Sequence, residues 1–277
     1  MNVLRPDRRE AAEAWRARVR AGRAQRDRLR EAAEPVDLYG PMAARFGQDP
    51  RRLDDPALQV LRRLAAPTET WLDIGAGGGR YSLPLALVTR RVIALDPSPA
   101  MIEVLRSGMA EHGIGNIEVL ESTWPTEPGP SADVALMAHV GYEIEDFGVF
   151  LDTAEAAVHR CVVVMRTSAA ARASYTLWSE IHGEERVAYP MLRELLVLLV
   201  ARDVVPQVEL VDRGNWGYDD PDQIVASMRH MLGLAAGSAK DRRLQALIDE
   251  RASERDGAWE IDWTPMQDGI VSWAVPT

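Results

Sequence analysis

Between Thr70 and Arg166 short apolar runs alternate with helical patterns, and that alternation limits the possible folds more than any other feature. The runs are TWLDIG (70–75), RVIALD (91–96), IEVLES (117–122), DVALMAH (133–139) and CVVVMR (161–166). Each is rich in leucine or β-branched residues and too short for a helix, whereas 81–87, 99–111 and 147–158 carry helical spacing. Strands that are apolar on both faces and separated by helices bury themselves in a parallel sheet covered on both sides. The expected class is therefore α/β, an open and mostly parallel sheet. QVELVDR (207–213) adds a further strand. The closing AWEIDWTPMQDGIVSWAV (258–275) reads as a hairpin around Gln267-Asp268-Gly269, bringing in an antiparallel last strand.

The flanks read as helical. Residues 7–33 form a polar helix or helix pair stopping before Pro35, and Asp54-Asp55-Pro56 introduces a helix over 57–65. Helical patterns recur at 190–203, 221–234 and 240–253, after an aromatic-containing insert at 168–189. With no repeat or linker in sight, the expected organisation is an arm over 1–35 and one domain over 36–277. Cap-forming inserts fall at about 169–189 and 214–256.

A single cysteine, Cys161, excludes a disulfide framework and points to a reducing cytoplasm; opening an apolar strand, it reads as an inert core thiol. The longest clean apolar run, 195–201, is too short to span a bilayer. The net charge of −10 argues against a broad phosphate-binding surface, yet residues 1–30 hold ten arginines against four acids. The plain reading of this arm is a solvated helix with its charges paired internally at i, i+3 and i+4. A nucleic-acid arm is the alternative, and Trp15 is its only stacking residue.

The stretch WLDIGAGGGRYSLPLA (71–86) places Gly75, Gly77, Gly78 and Gly79 between a strand and a helix. Free backbone N–H groups and a helix dipole there suit an anionic or polar ligand. A dinucleotide fingerprint wants a small residue at the sixth position from Gly75, where this chain has Arg80. Asp96 stands at the end of the next strand, 21 residues after Gly75, where a carboxylate can accept both hydroxyls of a ribose. Either feature alone has a bland explanation, a tight turn or a helix cap. Together they indicate a nucleoside-containing ligand.

LDIGAGGG (72–79), LDPSPAM (95–101) and DVALMAHVGYEI (133–144) together resemble the class I S-adenosylmethionine-dependent methyltransferases, in the small-molecule branch called type 11 or 12. The resemblance covers about residues 38–211 and implies a Rossmann-like sheet, S-adenosyl-L-methionine as cofactor and S-adenosyl-L-homocysteine as product. It implies that Asp73, Gly75, Ala76 and Gly77 hold the methionine end, and that Asp96 with Pro97 holds the ribose. Met101 would pack on adenine, and Tyr39, in LYGPMAARF (38–46), would cover the cofactor. The family's aspartate after the third strand is replaced by Ser122, which with Thr123 and Trp124 would meet adenine. The glycine pair usual before the fifth strand is also absent, with Val158-His159-Arg160 in its place.

Methyl transfer is an in-line displacement governed by alignment, so few catalytic groups are obligatory. The chain lacks the N-P-P-Y turn of amino-methyltransferases, the loop cysteine of cytosine C5 enzymes and the cysteine cluster of radical enzymes. Asp219, Asp220 and Asp222 read as a turn and helix cap rather than a Mg²⁺ site, so no metal is expected. His139, at the carboxyl end of the fourth strand, is the candidate general base and also borders the cofactor. Tyr142, Tyr175, Trp178, His182 and Trp216 are candidate walls of the acceptor pocket, with ordinary core packing as the competing explanation. The reading is methyl transfer to an oxygen or nitrogen of a small molecule, without a nucleic-acid or membrane partner. An RNA methyltransferase using the arm, a non-catalytic cofactor-binding relative and a nicotinamide enzyme are its rivals.

Overall fold

A computed structural model of the chain describes residues 6–33, 37, 40–127, 129–168, 173–213, 217–255, 257–261 and 266–276. Five parallel strands, β1 (Thr70–Ile74), β2 (Arg91–Asp96), β3 (Ile117–Glu121), β4 (Val134–Ala138) and β5 (Arg160–Arg166), build most of one sheet. They are joined by β6 (Gln207–Arg213), while β7 (Ser253–Arg255) and β8 (Ala258–Glu260) pair separately. The last strand, β9 (Met266–Ala274), inserts antiparallel between β5 and β6, giving the order β3-β2-β1-β4-β5-β9-β6.

The hairpin expected at 267–269 does not form. Those residues lie inside β9, bonded on both sides, with Gly269 opposite Met165 and Leu210. The glycine serves close packing rather than a turn: a Cβ there would lie 2.5 Å from Leu192 Cδ2.

The helices are α1 (Arg8–Leu29), α2 (Pro56–Leu64), α3 (Ser82–Ala86), α4 (Pro99–His112), α5 (Phe147–Glu155), α6 (Ala173–His182), α7 (Leu192–Ala201), α8 (Pro221–Leu232) and α9 (Ala239–Arg251). Alternate strand residues face two apolar layers. Leu72, Met137, Val163 and Val271 meet α1, α5 and α7, whereas Trp71, Leu136, Val164 and Ile270 meet α2, α3 and α4. A third core unites α6, α8 and α9 around Leu177, Trp178, Ile224, Met228 and Leu247, away from the sheet. The two expected cap segments thus share one interior.

The arm is not a solvated helix. Ala11, Trp15, Val19 and Gly22 make a buried stripe along α1, and Trp15 stacks on Phe147 with centroids 4.8 Å apart. Its indole N–H donates to Ile144 O at 2.8 Å. The arginines reach mainly across to the body rather than along the helix: Arg16 to Asp146, Arg20 and Arg23 to Glu145, Arg26 to Glu143 and Arg28 to Glu184. Apolar spacing of four, four and three residues decided this, and the abundance of charge hid it.

Candidate active site

The glycine loop and the acid after β2 form one unit at the carboxyl ends of the strands. Gly75 and Ala76 N–H both donate to Leu95 O, at 2.8 and 3.0 Å. Gly75 has φ +78°, and a Cβ there would lie 2.5 Å from Val140 Cγ2, so only glycine fits. At Gly77 (φ +54°) a Cβ would meet nothing closer than Met101 Sδ at 3.9 Å, which leaves an open ledge above the loop. Arg80, the residue that breaks the dinucleotide pattern, pins the loop to α2. Its Nη2 lies 2.9 Å from Asp55 Oδ2, and Asp55 caps α2 through Leu58 N–H.

Asp96 Oδ2 accepts the Gly77 N–H at 2.8 Å and Oδ1 accepts the Ser98 N–H at 2.9 Å. Each oxygen keeps acceptor capacity for a further donor. Burial holds this carboxyl above its ordinary range, with a smaller push from Asp37. Ser98, not Asp96, is the N-cap of α4. Asp37 was missed at the sequence level; it accepts from Ser98 Oγ at 2.6 Å and from Gly40 N–H at 3.0 Å. Its only signal was its place directly before LYGPMAARF.

Asp73 lies under the loop. Its Oδ2 accepts the Ser82 hydroxyl at 2.6 Å, while Oδ1 is buried with no hydrogen-bond partner. Burial, reinforced by the charge of Asp96, pushes its pKa up to about 7. An orphaned carboxylate oxygen in such a place calls for a cationic N–H donor. The residues therefore fit the α-amino group and ribose of S-adenosylmethionine.

Around the ledge, the Met101 side chain is buried in the first turns of α4, and Pro97 is exposed. Ser122 N–H donates to Asp96 O at 3.1 Å, and its hydroxyl to Thr123 O at 3.3 Å. The Trp124 N–H is committed to Thr153 Oγ1 on α5, at 2.9 Å. Tyr39 and Trp216 lie outside the described residues.

His139 follows β4 with φ +58°, a left-handed conformation that costs a non-glycine residue about 1–3 kcal/mol. Its N–H donates to Val164 O at 2.8 Å. The Tyr142 hydroxyl accepts the Arg166 N–H at 3.0 Å and lies 3.2 Å from His139 Nδ1. His139 Nε2 faces Asp268 Oδ2 at 3.6 Å. Asp268, from the middle of β9, is 1% exposed. Asp268, His139 and Tyr142 thus stand side by side. No motif foretold Asp268, because the expected hairpin placed it in a surface turn.

The other expected pocket residues divide. Tyr142 and Tyr175 pack together with Tyr189 and Met191. Trp178 belongs to the interior of α6, α8 and α9, and His182 lies against it, ring centroids 4.3 Å apart. Burial, then the nearby Lys240, lowers the His182 pKa to about 4. Tyr175 and Trp178 stand three residues apart on α6, close enough on the helix to share a neighbour. Arg186 lies over both rings, 4.2 Å from the centroid of Tyr175 and 4.6 Å from that of Trp178. Cys161 is fully buried in β5, and burial raises its pKa to about 12, so it stays an unreactive thiol.

A seven-stranded sheet of this order, with a glycine loop after β1 and an acid ending β2, has the architecture of the class I methyltransferases. Residues 72–165 match the family model described as a methyltransferase domain. That match takes in the sheet from β1 to β5, which is the part of the chain that resembles a methyltransferase domain. It is 37% identical over 117 residues to the ubiquinone biosynthesis O-methyltransferase of Methylobacterium nodulans, across 41% of this chain and 42% of that enzyme. It is 32% identical over 71 residues to a probable ribosomal RNA small subunit methyltransferase A of Methanosphaera stadtmanae, across 25% and 26% of the two chains. Each alignment spans less than half of the curated relative. The solved structure of the YcgJ protein from Bacillus subtilis superposes with a TM-score of 0.53 at 17% identity, covering 78% of this chain and 96% of that one.

Proposed function

We propose that this protein transfers a methyl group from S-adenosylmethionine to an oxygen or nitrogen of a small molecule. The observation that carries the reading is the pairing of the orphaned Asp73 Oδ1 with the Gly77–Asp96 ledge. When bound, the cofactor supplies a sulfonium-activated methyl group. Asp73 takes its ammonium group, the Gly75–Gly77 backbone borders its carboxylate end, and Asp96 accepts from the ribose hydroxyls. Met101 and the segment from Ser122 to Trp124 flank the base.

The acceptor lies on the His139 side, against the Tyr142, Tyr175 and Tyr189 wall, which suits a planar or apolar body. His139 Nδ1 receives the acceptor's proton by way of the Tyr142 hydroxyl, which donates its own proton to Nδ1 as it accepts another. The imidazolium formed then faces the Asp268 carboxylate. The α1 arginines weigh against RNA as the acceptor, because the body's carboxylates already hold them.

Calorimetry with S-adenosylhomocysteine tests the cofactor assignment. Binding that Asp96→Ala weakens strongly supports it, and tight NAD binding in its place overturns it.

A further inference from the structure

Behind the aromatic wall, the segment after α6 presents an arginine that the mechanism above does not use. Arg186 lies over the rings of Tyr175 and Trp178, 4.2 and 4.6 Å from their centroids. A guanidinium held through its face keeps its N–H edge for an acceptor in its own plane. Among the described residues that edge meets only Ser174, from Nη1, at 3.3 Å to the carbonyl and 3.4 Å to the hydroxyl. Both contacts are long for hydrogen bonds, and neither brings a negative charge. The backbone on either side is fixed from α1. Gln25, 8% exposed, donates to Glu185 O at 2.7 Å and accepts the Val187 N–H at 2.8 Å. Arg186 therefore projects from a segment anchored at both of its neighbours.

The phenols beside it show the same lack. Tyr189, 5% exposed, and Tyr175 each bury a hydroxyl that has no hydrogen-bond partner. Glu143 and Arg26 are the charged side chains felt by both Arg186 and Tyr189. They hold each other, Nη1 to Oε2, at 2.6 Å. Glu143 is thus already engaged, and Arg26, Glu143 and Arg186 together leave a surplus positive charge. Burial pulls the Arg186 pKa below its usual range; Tyr175, Tyr189 and Glu143 offset part of this, and Arg26 adds to it. Burial also pushes the Tyr189 phenol up to about 12, so it keeps its proton as a donor. Buried donors without acceptors are costly in a native fold, and an anion in the guanidinium plane satisfies them and the surplus charge together.

We propose that Arg186, with the hydroxyls of Tyr175 and Tyr189, forms a subsite for an anionic group on the methyl acceptor, a carboxylate or a phosphate. The inference deepens the methyl-transfer reading and rests on it for the word acceptor. Tyr175 and Tyr189 pack with Tyr142, whose hydroxyl lies 3.2 Å from His139 Nδ1. The charged end of the molecule is thus held across the tyrosine wall, with its reacting oxygen or nitrogen on the His139 side. Both hydroxyls are closed to water, so the anion reaches them as the Arg186 edge turns from Ser174 to meet it. A neutral amide or alcohol satisfies neither the surplus charge nor the desolvated donors, and is rejected.

The full-length protein saturated with S-adenosylhomocysteine is titrated by calorimetry with benzoate, phenyl phosphate and benzamide. At least one anion should bind and benzamide should not, and the tighter anion tells carboxylate from phosphate. Arg186→Gln should weaken that anion by about 10- to 100-fold while S-adenosylhomocysteine binds as before. Arg186→Lys, which keeps the charge and loses the fork, should fall between. Should Arg186→Gln melt far below the wild type, Tyr189→Phe decides, since it keeps the ring and removes one donor. It should weaken the anion by about 3- to 10-fold. Equal binding of benzoate and benzamide, no binding of either anion, or anion affinity unchanged in a folded Arg186→Gln or in Tyr189→Phe overturns the proposal. Absence of S-adenosylhomocysteine binding with anion discrimination intact would instead sink the methyl-transfer reading alone.

Discussion

The β1–β2 end of the sheet and the β5–β9–β6 end are built on different plans. At the first, the described groups proposed to hold the cofactor fall, His139 apart, between Asp73 and Trp124, and backbone N–H groups carry much of the geometry. At the second, Asp268, His139, Arg166 and Arg213 come from four strands or their ends and meet only through register. A common cofactor can be met by one contiguous scaffold. Side chains on separate strands can each be replaced without disturbing that scaffold.

That contrast can be broken most sharply at Asp268. Asp268→Asn should lower kcat about 100-fold by leaving the His139 imidazolium without its carboxylate, and the pH profile of kcat should change with it. Affinity for S-adenosylhomocysteine should stay unchanged; if it falls in parallel, the two ends are not independent. Asp96→Ala is the mirror experiment. It should weaken S-adenosylhomocysteine about 10- to 100-fold and leave the pH profile of kcat at saturating cofactor unchanged.

Asp73 sharpens the comparison through pH. In the free protein its carboxyl keeps a proton up to about 7, whereas a bound ammonium group needs the carboxylate. Affinity for S-adenosylhomocysteine should therefore rise with pH from 5 toward 7, by up to about tenfold per unit, and level off above. Stability runs the other way. An unfolded aspartate ionises near about 3.9, so the free fold binds the extra proton between there and about 7 and loses stability as pH rises through that window. Asp73→Asn should flatten both dependences, as read by calorimetry and by thermal melts.

The smallest effect belongs to the arm, which serves neither end directly. Arg20→Ala should cost no more than about 1 kcal/mol, since its pair with Glu145 is exposed. Trp15→Ala should cost about 3–5 kcal/mol in the same denaturant series. Equal losses would show that charge, rather than the buried stripe, docks α1.

Much of the cofactor end was legible in residue order. The glycine spacing, Asp96 at the end of β2 and the Asp55-Pro56 helix start all depend on neighbours within a few residues, and local conformation follows from local sequence there. Asp37 escaped because its role depends on a hydrogen bond to Ser98, 61 positions away. Trp178 was placed in a pocket because aromatic content does not say which face of a helix looks inward. The 267–269 segment carries turn residues, yet it became the middle of a strand. There, two flanking strands supplied hydrogen bonds on both sides, and Leu192 filled the space above Gly269.

By itself, then, the sequence determined the alternating α/β plan, the glycine loop and the resemblance to a methyltransferase domain, because those are written in periodicity and short spacing. Only the tertiary structure decided that α1 docks, that β9 enters between β5 and β6, and that Asp268 stands behind His139 with Arg166 and Arg213 beside it. Side chains far apart in the chain acquire a common chemistry only when register brings them together, and register is chosen by the packing of the whole sheet.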